Sequence, residues 1–194
     1  MKNSYNKICT GIYSFLGTLI ACMMCIFAVF TMGIRVAQVT GNSMYPGLES
    51  GDSVLISGVF YKPTYGDIVA IGRSTGENTS FIKRIIGLPG DEINIDFESH
   101  IVTVNGYVVP ETYKVNAALS EKGDLTYPVT VPEGCVFVLG DNRDDSLDSR
   151  FSKIGFIKLE EIAGKALFRV FPPGKTAIYS IAFNSRLKNS ERQA

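Results

Sequence analysis

A chain of 194 residues is long enough for one sizeable domain or a small pair. Its 19 Lys and Arg balance 19 Asp and Glu, so there is no basic surplus to track phosphates, which argues against nucleic acid as a partner. Four cysteines form no disulfide framework: Cys9, Cys22 and Cys25 lie in or beside an apolar run, and only Cys135 lies in the body. Cys22-Met23-Met24-Cys25 has redox or zinc spacing, but it is embedded in Leu, Ile and Phe, where small buried residues of a bilayer helix are the better reading.

From residue 8 to residue 34 no side chain is charged, a run of 27 positions against the roughly 20 that a helix needs to cross the hydrocarbon core. Lys2 and Lys7 precede it and Arg35 follows, a bias that places the N-terminus in the cytoplasm and the rest outside. A cleaved signal peptide is the rival reading, but its apolar region spans only about 7–15 residues. The sequence therefore predicts a retained anchor and the lipid bilayer as a partner.

Directly after the anchor comes Gly41-Asn42-Ser43-Met44-Tyr45-Pro46-Gly47-Leu48. Glycines on either side of Ser43 permit a sharp bend, and Pro46 restricts the residue before it, so the serine hydroxyl can be presented to solvent. Taken alone, this is also ordinary turn chemistry.

The pattern then switches to short strands. Ser53-Val54-Leu55-Ile56, Asp67-Ile68-Val69-Ala70-Ile71 and Phe81-Ile82-Lys83-Arg84-Ile85-Ile86 are β-rich and bounded by Gly, Pro or Asp. Glu92-Ile93-Asn94-Ile95-Asp96-Phe97 alternates cleanly. His100-Ile101-Val102-Thr103-Val104 and Tyr107-Val108-Val109 flank Asn105-Gly106, the strongest hairpin signal in the chain. Residues 111–130 are polar with little periodicity, as expected of an inserted loop or small subdomain. Cys135-Val136-Phe137-Val138-Leu139 suits a buried strand, residues 159–162 a helical turn, and Ala166-Leu167-Phe168-Arg169-Val170-Phe171 a last strand stopped by Pro172-Pro173. Residues 177–183 are apolar but too short to cross a bilayer. The body is expected to be mainly β.

Lys83 shares a strand face with Phe81 and Ile85, while Arg84 shares the other with Ile82 and Ile86. A strand buried on both faces makes charged lysine costly, and lysine can escape by losing its proton where arginine cannot. Acting as a base near neutral pH requires a fall from about 10.4 to about 7–8, roughly 4 kcal/mol of differential destabilisation. A snorkelling lysine, its stem packed and its head in water, is the structural alternative.

The third polar stretch, Gly140-Asp141-Asn142-Arg143-Asp144-Asp145-Ser146-Leu147-Asp148-Ser149-Arg150, is either a solvated loop or a stiff one cross-linked by Arg–Asp pairs beside a site. Its aspartates have no metal-ligand spacing, so neither a metal nor a cofactor is expected.

Together these stretches resemble the type I signal peptidases, membrane-anchored serine proteases of bacteria that remove signal peptides from exported proteins. Gly41 to Leu48 is similar to the family's nucleophile motif, Gly66-Asp67-Ile68-Val69 to its next strand, Lys83 to Asp91 to its base motif, and Gly140 to Arg150 to its closing motif. The matches occur in family order after a single anchor and cover most of the chain from Val39 to Phe171.

The resemblance implies that Ser43 is the nucleophile and Lys83 its general base, with Ser146 hydrogen-bonded to the lysine amine. Asp148 and Arg150 would brace the closing loop, with Asp141, Asn142 and Arg143 as scaffold. Ser80, Phe81 and Ile82 would flank an extended signal peptide by β-augmentation, and Val39, Met44 and Ile82 would line shallow pockets. The implied fold is a mainly antiparallel β catalytic core at residues 36–92 and 131–175, with a smaller β subdomain inserted at 93–130. Residues 1–7 would be cytoplasmic, 8–34 the transmembrane anchor in the plasma membrane, and 176–194 a tail. Gly41 stands where one branch of the family has a hydroxyl that helps hold the oxyanion, as in the Gram-positive branch. Residues 151–154 also look longer than usual. His100, the only histidine, lies in a hairpin away from any nucleophile signal, which disfavours a Ser-His-Asp hydrolase. A self-cleaving repressor-type protease expects a DNA-binding domain where this chain has an anchor, and a non-catalytic binding protein would be free to lose the dyad.

Overall fold

The structure, a computed structural model, describes residues 2–58, 60–72, 81–110 and 121–173, with helix side chains described over 7–28. Ser80, the segment 111–120 and the tail 176–194 lie outside the described residues. The chain divides into two units, Met1–Arg35 and Val36–Ala194.

In the first unit, α1 runs Lys2–Gly33. Its stretch Lys7–Ala28 is long and apolar enough to cross a membrane, 22 residues that rise about 33 Å. Ile8, Phe15 and Leu19 are exposed along its length.

Two antiparallel sheets follow the alternation of the sequence, all but residues 34 and 35 lying in the second unit. The first holds β1 (Ile34–Gln38), β2 (Ser53–Ser57), β3 (Ile68–Ile71), β4 (Phe81–Gly87), β9 (Cys135–Leu139), β10 (Ile157–Lys158) and β11 (Ile162–Phe171), in the order β1-β2-β11-β3-β4-β9-β10. The second holds β5 (Glu92–Asp96), β6 (Ile101–Val104), β7 (Tyr107–Val108) and β8 (Val129–Thr130), in the order β7-β6-β5-β8. Asn105 and Gly106 both take positive φ at the β6–β7 turn, as a two-residue hairpin requires. Ile93, Ile95, Val102 and Val104 form a core with Ile86, Phe137 and Leu139 of the large sheet.

β8, β10 and the start of β11 escaped the sequence pattern. β8 and β10 have two residues each, too few to show a period. β11 starts at Ile162 rather than Ala166, because Gly164 lets its backbone approach Ser57: a Cβ there would lie 2.6 Å from the Ser57 carbonyl. Leu159–Glu161 forms the expected helical turn, of 3-10 type.

Asp91 links the two sheets. Its buried carboxylate accepts hydrogen bonds from the Tyr65 hydroxyl at 2.8 Å, the Leu88 N–H at 2.6 Å and Asn105 Nδ2 at 2.8 Å. Asp91→Ala strips three donors of an ionised partner and is expected to lower stability by about 3 kcal/mol. A urea titration should show a lower midpoint with unchanged slope; an unmoved midpoint would show that the junction does not depend on this carboxylate.

Candidate active site

Ser43 sits in a turn that its own sequence nails down. Met44 and Leu48 are buried beneath it, the Leu48 N–H donates to the Met44 carbonyl at 2.9 Å, and Tyr45 N–H donates to the Asn42 carbonyl at 3.0 Å. Gly41 enters the turn with a φ of 81°. The Ser43 side chain is left half-buried, at the surface of this packed knot.

β4 runs between β3 and β9, with Lys83 opposite Val69. Sheet on both sides and apolar neighbours leave Lys83 only 3% exposed, so the snorkelling alternative is not what is observed. Its Nζ lies 2.6 Å from Ser43 Oγ, across 40 residues of sequence. Burial pushes its pKa down to about 8. The charges of Asp148, Asp141 and Asp145 pull it up and that of Arg150 pushes it down, but burial dominates. The Phe81 ring centroid is 5.8 Å from Nζ.

Arg84, the neighbouring cation, cannot take the same escape. It is 1% exposed and forks onto Asp141, with Nε to Oδ1 and Nη2 to Oδ2 both at 2.7 Å, while Nη1 donates to the Gly66 carbonyl. Sequence reasoning gave Arg84 no partner, although a cation in a strand apolar on both faces demands a buried carboxylate. This pair ties the base strand to the closing loop.

The closing loop is stiff, as its density of matched charges implied. Arg150 and Asp148 are wholly buried and paired at 2.8 Å. Asp148 Oδ2 also accepts the Gly140 N–H, and the Arg150 guanidinium reaches the carbonyls of Arg143, Ser146 and Glu121. The loop meets the serine turn directly. Asn142 N–H donates to the Ser43 carbonyl at 3.0 Å, and Asn142 Nδ2 to the Asn42 carbonyl at 3.3 Å.

Ser146 departs from expectation. Its Oγ is buried with no hydrogen-bond partner among the described residues, so the expected bond to the Lys83 amine is not formed. The hydroxyl packs instead over Gly140. The segment 151–154 is held by the insertion: Asp124 accepts from the Ser152 N–H and hydroxyl. Of the substrate-flanking residues, Val39, Met44 and Ile82 meet in one apolar cluster with Leu48 and Ala70, each at most 6% exposed. Phe81 packs against a different cluster with Val69 and Ile85. Among the described residues no group of three His, Cys, Asp or Glu side chains could hold a metal ion.

Comparison with known proteins adds an independent line. The profile of the family described as signal peptidase, peptidase S26, matches residues 12–171. A signal peptidase I of Bacillus caldolyticus is 36% identical over 169 residues, covering 78% of this chain and 86% of the relative. A probable signal peptidase I-2 of Synechocystis sp. is 32% identical over 163 residues, covering 80% and 71%. Among solved structures, a signal peptidase I from Enterococcus faecalis V583 is 33% identical, covering 55% of this chain and 98% of that one, with a TM-score of 0.42.

The contact between serine turn and closing loop is sterically tight. A Cβ on Gly140 would lie 2.2 Å from Ser146 Oγ and 2.6 Å from the Ser43 carbonyl oxygen. Gly140→Ala must force the two loops apart and is expected to cost about 1–3 kcal/mol, the range for overpacking. The thermal midpoint should fall accordingly; an unchanged midpoint would mean that the loops part freely.

Proposed function

This chain belongs to the signal peptidase family, peptidase S26, and from that premise we propose that it is a membrane-anchored serine endopeptidase cleaving N-terminal signal peptides from exported preproteins. Ser43 is the nucleophile and neutral Lys83 its general base. The observation that carries this reading is the 2.6 Å contact between Lys83 Nζ and Ser43 Oγ, made by a lysine whose burial lowers its pKa to about 8.

The chemistry follows from the geometry. The Ser43 hydroxyl gives its proton to the unprotonated Lys83 amine as Oγ attacks the scissile carbonyl. The developing oxyanion falls to the Ser43 N–H, which makes no hydrogen bond among the described residues and is therefore free to donate. The new ammonium forms in the field of Asp148, Asp141 and Asp145, close enough to favour it without touching it. Lys83 then returns the proton to the leaving amine, and water, activated by the same amine, releases the acyl group. Asp148 and Arg150 keep the closing loop in shape and do not contact the reacting atoms. Ser146 lies against Gly140 and turns to the amine only if its hydroxyl rotates.

The substrate is an extended peptide that adds to the sheet beside Ser80, Phe81 and Ile82 and sets small side chains over Val39, Met44 and Ile82. α1 is the anchor, inserted with its N-terminus in the cytoplasm and the catalytic unit outside. Protease added to intact spheroplasts should digest the body and leave the anchor; a body protected until the membrane is permeabilised would reverse this orientation.

The catalytic test uses purified protein in detergent with one preprotein, the cut located by mass spectrometry. Ser43→Ala and Lys83→Ala should each abolish cleavage. Lys83→Arg should not restore it, because arginine keeps the charge but cannot release its proton at any working pH. In the unmodified protein, kcat/KM should fall as pH drops through about 8, since protonation removes the base. At pH 7 only about a tenth of the molecules hold Lys83 neutral, by a one-unit separation from its pKa. Substantial turnover by Lys83→Arg would return Lys83 to the role of a packed cation.

A further inference from the structure

The serine turn is fastened at both ends by residues outside the motifs. At its entry, the Val39 N–H donates to the Asp52 carbonyl at 2.8 Å and the Gly51 N–H to the Val39 carbonyl at 2.9 Å. At its exit, the Gly47 carbonyl accepts from Nη2 of Arg169 on β11, 122 residues away in sequence. The same guanidinium pairs through Nη1 with Asp52 Oδ2 at 3.1 Å, and that oxygen also accepts the Glu49 N–H at 2.9 Å. The links close a ring: Val39 to Asp52, Asp52 to Arg169, Arg169 to Gly47. Ser43 stands midway along the chain between Val39 and Gly47.

As a stabilising element this arrangement is poor. Both side chains are 4% exposed, and Arg169 Nε is buried without a hydrogen-bond partner among the described residues. A buried ion pair gains little over well-packed apolar residues, and an orphaned donor subtracts from that little. What the guanidinium supplies, and an apolar side chain cannot, is one planar fork that grips a carboxylate and a carbonyl together. On another side Gly47 neighbours Asp141, since a Cβ there would be in ordinary contact at 3.6 Å with Oδ2, the oxygen that receives Arg84. The turn thus lies between two buried ion pairs and is hydrogen-bonded to the one on β11.

We propose that Arg169, acting with Asp52, is a positioning residue that fixes Ser43 Oγ against Lys83 Nζ by closing this ring around the serine turn. The proposal rests on Ser43 and Lys83 being the reacting pair. The deciding variant is the double substitution Asp52→Asn with Arg169→Met, which removes both charges, leaves an amide oxygen for the Glu49 N–H and preserves volume. Thermal midpoint, kcat, KM and the acidic limb of kcat/KM are measured on one preprotein. The midpoint should stay near that of the unmodified protein, KM should hold, and the acidic limb should not move, because the burial and the charges that set the Lys83 pKa are untouched. Only kcat should drop, by about 10²-fold, the effect of a misplacement near 1 Å. Arg169→Lys gives a second, fold-preserving reading. It keeps the charge beside Asp52 but loses the fork, so kcat should fall about tenfold at constant midpoint. Full kcat in Arg169→Lys, or in the folded double variant, would overturn the positioning role. Turnover by Ser43→Ala would instead remove the reading beneath it, and is seen in a separate arm.

Discussion

Lys83 is placed where a charge is expensive, and much of the second unit exists to keep it there. β4 lies between β3 and β9, so neither edge of the strand meets water, and six of its seven residues are buried. Desolvation of the ammonium form is the largest influence on its pKa, and it overcomes three carboxylates that pull the other way. A lysine at the sheet edge would remain charged and could not accept a proton from serine. The central position of the strand is therefore what lowers the pKa of the lysine, and the folding of both sheets secures that position.

The same burial sets an opposite requirement one residue along. Arg84 keeps its charge under any condition, so it must be matched, and Asp141 matches it in two parallel hydrogen bonds. Repetition of this device shapes the site. Arg150 meets Asp148 inside the closing loop, Arg169 meets Asp52 behind the serine turn, and Lys165 meets Asp67 where β11 passes β3. Asp67 further accepts from the Tyr61 and Thr64 hydroxyls. Such pairs contribute little net stability, but each has one geometry that satisfies it, and an incorrect register leaves a charge buried alone. Loops rich in Gly, Ser and Asn cannot pack into a unique arrangement through apolar contact. Here they are held by charges that have only one place to go.

The fold was largely legible because it obeys period two. β2, β3, β4, β5, β6 and β9 were visible as alternating or continuous apolar runs, and Asn105-Gly106 marked its hairpin. The apolar helix was visible from the missing charges alone. What could not be read was decided by distant partners. The bulge that lets β11 begin at Ile162 depends on how closely Gly164 approaches Ser57. Arg169 looked like one polar residue in a last strand, and only the return of β11 beside β2 brings it to Gly47 and Asp52. Ser43 and Lys83 were legible as a pair because a serine turn, a doubly buried lysine and a charged loop occur together in one order. The bond from Ser146 was carried over from resemblance, and the observed rotamer does not make it.

The orphaned hydroxyl of Ser146 bears on how such a pair can cycle. In the proposed mechanism the Lys83 amine starts neutral, becomes an ammonium when it takes the serine proton, and must then release that proton. An ammonium has three donors and a neutral amine two, so the number of acceptors required near Nζ changes during a single turnover. A fixed hydrogen bond suited to one state mismatches the other. A buried hydroxyl with no competing partner among the described residues, on a loop held rigid by Arg150, has the freedom to rotate without moving any backbone. The three carboxylates act in the complementary manner, favouring the charged state through space at every instant. In the proposed mechanism, burial favours the neutral amine and the three carboxylates favour the ammonium, so the charge on Lys83 would rise and fall inside a core that cannot itself rearrange.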